Sequence, residues 1–103
     1  MERSTREQHF VFVRAGGSPP KAVQVKTVRS TPWYVRYASF AKRVDQVTVY
    51  VLLAADRMGP TRFFVAKNRD LISHVRQPPT WNAFGLIDEK SVRKYEDNWD
   101  ILR

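Results

Sequence analysis

The stretch from Gln46 to Ala54, QVTVYVLLA, constrains the fold more than any other part of the chain. Its β-branched and aromatic residues suit a pleated, packed surface, and Leu52 and Leu53 in succession imply burial on both faces, as in a central strand. A sheet must therefore be built around this segment, and its neighbours in sequence supply the partners. Arg62 to Ala66 (RFFVA) follows the turn-forming residues Asp56 to Pro60 (DRMGP), so the two strands read as an antiparallel hairpin. Upstream, His9 to Arg14 (HFVFVR) alternates in character. The stretch Gly16-Gly17-Ser18-Pro19-Pro20, a turn by composition, leads from it into a strand over Lys21 to Val28, which predicts a second hairpin.

Residues 29 to 43 fit neither the strand nor the helix period and read as a loop with a short helix near Val35 to Lys42. Asn68 suits a helix N-cap and Asp70 the first turn, predicting a short helix from Arg69 to about Arg76 that Pro78-Pro79 ends, with Leu71, Ile72 and Val75 toward the core. Asp88 suits the cap of a last helix in which Val92, Tyr95, Trp99 and Leu102 form one apolar stripe that docks on the sheet. At 103 residues the chain supports one core. The expectation is a single α+β domain over residues 1–103, with a mainly antiparallel sheet of four to five strands and one or two helices packed on it.

Several chemistries are excluded by what the chain lacks. With no cysteine there is no disulfide, thiolate metal site or cysteine nucleophile. The four glycines form no phosphate-binding loop, no GxSxG elbow is present, and His9 and His74 have no partner at metal-ligand spacing. The longest apolar run, Val49 to Ala55, is far below a membrane span, so a cytoplasmic protein is expected. The formal charge is +8, and half of the eighteen basic residues lie in residues 1–44 against only two acids, Glu2 and Glu7. Twelve of the bases are arginine, whose planar fork suits phosphate, so a polyanion such as nucleic acid is a fitting partner. Trp33, Tyr34 and Tyr37 are interleaved with Arg29, Arg36, Lys42 and Arg43, a mixture able to stack bases while contacting phosphates.

The most informative element is Val23-Gln24-Val25-Lys26-Thr27, which sets an amide and a lysine two residues apart on one face of a strand. Taken alone, the pair also fits an ordinary strand whose polar face meets water. Together with Tyr95, Trp99, Asp100 and Leu102 in the tail, however, the chain resembles the PD-(D/E)XK, or restriction-endonuclease-like, phosphodiesterase superfamily. The resemblance spans roughly residues 8 to 102. It implies that Gln24 and Lys26 stand at the second catalytic half-motif, with acidic side chains holding Mg²⁺ and Lys26 positioning and deprotonating the nucleophile. Gln24 offers only a neutral carbonyl oxygen to such a metal. Where the family carries Asp on the preceding strand this chain has His9, and Glu7 is the nearest carboxylate that could serve as the metal ligand. The family core also begins with a helix and a strand for which a start at Met1 leaves no room, so a shortened, degenerate member is expected.

Three functions follow from these readings. The first is a reduced endonuclease-like domain that binds DNA or another nucleic acid, with weak or lost phosphodiesterase activity. The second is an active Mg²⁺-dependent nuclease whose acid comes from Glu7 or a second subunit, and the third is a homodimeric interaction module without catalysis.

Overall fold

The computed structural model describes residues 8–13, 21–54 and 59–102. Six strands and three short helices are present among them: β1 (Gln8–Val13), β2 (Lys21–Val28), β3 (Trp33–Arg36), α1 (Tyr37–Lys42), β4 (Val47–Leu52), β5 (Arg62–Lys67), α2 (Asn68–Leu71), β6 (Phe84–Ile87) and α3 (Glu89–Val92). Strands β1, β2, β4 and β5 form one sheet in the order β1-β2-β4-β5, and β3 pairs with β6 in a separate two-stranded ribbon. The fold is thus α+β, with both expected hairpins present as antiparallel strand pairs. The turn over residues 16–20 and Glu7 lie outside the described residues, as do residues 55–58.

The main sheet is mixed, because β2 and β4 run parallel. Parallel neighbours require a crossover connection, and residues 29–46 provide it by way of β3 and α1. This corrects the reading of the segment as a loop with one helix: the helix is there, but a four-residue strand precedes it. Its partner β6 was not anticipated, since FGLI is too short to display a period and follows a Pro-rich, irregular stretch.

Two apolar layers fill the two sides of the main sheet. On one side Val28, Tyr50, Leu52, Phe64 and Ala66 pack against Trp33, Val35 and Ile87 of the ribbon and against Phe40, Leu71 and Val92 of the three helices. On the other side Val23, Val47, Val49, Val51 and Val65 form a valine-rich layer, against which Ile101 and Leu102 pack. Every residue of β4 is buried, the pattern of a strand covered on both faces.

Alternation along β3 decides the role of its aromatic residues. Trp33 and Val35 point inward while Tyr34 and Arg36 point out. Trp33 is 0% exposed, donates Nε1–H to the Val51 carbonyl at 3.2 Å, and meets Tyr50 and Phe64 edge-on with centroids 5.4 and 5.8 Å apart. The expectation that it stacks nucleobases is therefore corrected: it is a core residue whose polar atom is satisfied inside.

The helices also depart from their sequence reading in detail. Lys67 occupies the cap position of α2, and Asn68 instead uses Oδ1 to accept a hydrogen bond from Thr48 Oγ1 at 3.0 Å. Helical structure after α2 ends with a 3₁₀ turn at His74, and Arg76 forms a bridge to Leu86. Asp88 does precede α3, but its carboxylate pairs with Arg76 and makes no cap hydrogen bond. The expected continuous last helix is broken at Glu96, which is extended and bridges Phe64, and at Asp97, whose φ of 55° lies in the left-handed region. As a result Val92 and Tyr95 join the first apolar layer while Leu102 joins the second, and Trp99 lies against Phe63 with centroids 5.8 Å apart.

Gly85 fixes the position of the ribbon. A Cβ at this residue would lie 2.5 Å from Val75 Cγ1 and 3.2 Å from the Arg76 carbonyl oxygen. Val75 is β-branched and cannot easily turn away. Gly85→Ala is expected to lower the unfolding free energy by about 1–3 kcal/mol in urea titration. Gly59→Ala, where nothing lies within 4 Å, serves as the control and leaves stability essentially unchanged.

Candidate functional site

The polar residues of the first sheet face gather at one end of it. The parallel register sets Gln24 opposite Thr48 and Lys26 opposite Tyr50, while Val28 is opposite Leu52, so the face runs from polar to apolar along β2 and β4. Above the polar end stand the last residues of β3 and the helix α1. Between these layers is a cavity of about 240 Å³ lined by Gln24, Lys26, Val35, Arg36, Ser39, Phe40, Arg43 and Asn68. Gln24 and Lys26 are only 9% and 8% exposed, so the pair projects side by side into a concavity and does not form a flat, watery strand face.

Of the basic residues singled out in the sequence, Lys26, Arg36 and Arg43 border this cavity, the buried Lys26 from its floor and the exposed Arg36 and Arg43 from its rim. Arg29 and Lys42 are exposed elsewhere and do not line it. The sequence reading missed Ser39 and Asn68. For Asn68 the available signal is Thr48, a fully buried polar residue in an otherwise apolar strand, which needs a polar neighbour and finds it in Asn68.

The electrostatics of the cavity are one-sided. Burial holds the Lys26 ammonium down, to a pKa of about 8 from the ordinary 10.5. Among the described residues no carboxylate lines the cavity and no ion pair to Lys26 forms. Other arginines are matched with acids. Arg62 binds Glu89 at 2.8 Å and Glu96 at 2.9 Å, Arg76 binds Asp88 at 3.0 Å, and Arg69 pairs with Asp45, whose carboxyl it holds below the usual range. Tyr50, opposite Lys26, is kept neutral because burial pushes its phenol far up.

Among the described residues, which do not include Glu7, the donor set lining the cavity does not fit Mg²⁺. That ion takes oxygen ligands, usually with one or two carboxylates, whereas this cavity offers the amides of Gln24 and Asn68 and the Ser39 hydroxyl among three cationic side chains. None of the residues of β1 is acidic, and among the described residues no group of three or more His, Cys, Asp or Glu is placed to hold a metal ion. What the arrangement suits is an anion. A phosphate or carboxylate group would supply the countercharge that the buried ammonium lacks among the described residues, with Arg36 and Arg43 at the rim as charge-assisted donors. The volume falls below the roughly 300–1,000 Å³ of pockets that enclose a whole small ligand, so a group of a larger molecule fits better than an entire cofactor. Among the described residues no helix is long and apolar enough to cross a membrane.

Comparison with protein-family models, with curated proteins and with solved structures gives no match.

Lys26 makes the site costly to the fold. Because its folded pKa of about 8 lies below the ordinary 10.5, the unfolded chain holds more protons between these values and wild-type stability rises with pH across that window. The penalty is fully present below pH 8. Lys26→Met is therefore expected to be more stable than wild type at pH 7, by about 2 kcal/mol in denaturant titration. The advantage should shrink as pH rises toward 10.5. A constant difference across that range would show that the ammonium is not desolvated.

Proposed function

We propose that this protein is a reduced restriction-endonuclease-like domain that binds nucleic acid, seating a backbone phosphate in the cavity of Lys26, Arg36 and Arg43, with phosphodiesterase activity weak or lost. The observation that carries this reading is a concavity with a buried lysine in its floor and two exposed arginines at its rim, which no carboxylate lines among the described residues. The overall charge of +8 favours the same class of partner. The resemblance to the superfamily rests on Gln24, Lys26 and the tail residues, and the concave setting of the Gln24–Lys26 pair is consistent with it. The weak or lost cleavage is supported by the donor set among the described residues, which suits an anion better than the divalent metal that the family chemistry requires.

Binding of labelled oligonucleotides, followed by anisotropy over a range of salt concentrations, tests the reading. Affinity should fall steeply and log-linearly with salt, as counterions are released from each neutralised phosphate. Arg36→Ala and Arg43→Ala should each weaken binding across all sequences and reduce the salt slope by about 1. A plasmid-nicking assay with Mg²⁺ or Mn²⁺ should show no cleavage. Undetectable or salt-independent binding would refute the proposal, and metal-dependent nicking that disappears in Lys26→Ala would restore an active nuclease in its place.

A further inference from the structure

The outward face of the ribbon is the least explained surface of the molecule. Across β3 and β6, Tyr34 is opposite Leu86 and Arg36 opposite Phe84, and all four side chains lie on the side away from the core. Tyr34 and Phe84 are 38% and 40% exposed. Trp81, from the loop before β6, lies against Tyr34 with ring centroids 5.9 Å apart and planes tilted by 40°. The Arg36 guanidinium sits over the Phe84 ring, 5.0 Å from its centroid. Three aromatic rings and an arginine plane thus share one solvent-facing surface, held by the close approach of Gly85 to residues 75 and 76.

This surface is continuous with the cavity through Arg36, which belongs to both. A strand with one phosphate seated at the cavity would therefore carry its neighbouring groups past Arg36 onto the aromatic face. In a duplex the π-faces of the bases are occupied by stacking on one another, so an aromatic platform has nothing to receive. A single strand can splay its bases and lay them on aromatic rings and arginine planes.

We infer that the ligand is single-stranded nucleic acid, its bases stacking on the Tyr34, Trp81 and Phe84 platform while an adjoining phosphate enters the cavity. This rests on the phosphate-binding reading above and adds to it the strandedness of the ligand. Charge complementarity favours this occupant over an apolar peptide, because the platform adjoins a cationic cavity in a strongly basic chain. Of the three aromatics near this point in the sequence, Trp33 is committed to the core and Tyr34 to the platform. Trp81 and Phe84 arrive from a distant segment that sequence spacing does not connect to them.

The test uses three labelled ligands of equal length: a mixed-sequence single strand, the same strand paired with its complement, and a single strand of abasic sites. Wild type should bind the single strand at least tenfold more tightly than either of the other two. Tyr34→Ala and Trp81→Ala should each weaken single-strand binding by roughly tenfold while leaving the salt slope and the abasic affinity unchanged. The abasic comparison needs no variant and so stands even if a substitution impairs folding. Equal affinity for the single strand and the abasic strand would overturn the platform while leaving phosphate binding intact, and tighter binding to duplex would do the same. Failure to bind any of the three would instead overturn the phosphate reading. Sedimentation that shows a dimer in wild type and a monomer in Trp81→Ala would assign the face to a second copy and overturn the inference.

Discussion

The parallel pairing of β2 with β4 is the constraint on which the rest of the structure depends. It gives β4 a neighbour on each side and sets Gln24 and Lys26 beside Thr48 and Tyr50 in the middle of a sheet. It also obliges residues 29–46 to pass over the sheet. That passage carries Trp33 into the core and brings Arg36, Ser39 and Arg43 to the polar end of the same face. An antiparallel arrangement with a short turn would have left Lys26 on an open surface.

One sheet face therefore serves two purposes, separated along the strands. Toward Val28 and Leu52 it is closed by Trp33, Phe64 and Ile87, where burial of large rings supplies cohesion. Toward Gln24 and Thr48 it holds a cavity that a buried ammonium makes unfavourable to form. The first region supports the second, which follows the general pattern that binding sites store unfavourable electrostatics in a scaffold stable enough to tolerate them.

Much of this fold is legible in the sequence where local period and tertiary burial agree. β2 and β4 are of this kind, and so is the β4–β5 hairpin. Legibility fails where long-range contacts override local preference. Trp33 reads as a candidate for base stacking because it lies among arginines, yet alternation along a four-residue strand turns it inward. Asn68 reads as a helix cap, but the buried Thr48 hydroxyl is a stronger demand on its side chain. The tail shows an unbroken apolar stripe, and nothing in its period reveals that Asp97 adopts a left-handed conformation and divides it between two layers. Of the site, Gln24, Lys26, Arg36 and Arg43 are visible in advance. Trp81 and Phe84 are not, because only the β3–β6 pairing joins them to Tyr34 and Arg36.

The valine-rich layer carries a consequence for biosynthesis. Val23, Val47, Val49, Val51 and Val65 are made well before Ile101 and Leu102, which pack against them. A growing polypeptide can assemble the β-strands while this side is still incompletely shielded, and such a sticky interval invites self-association during translation.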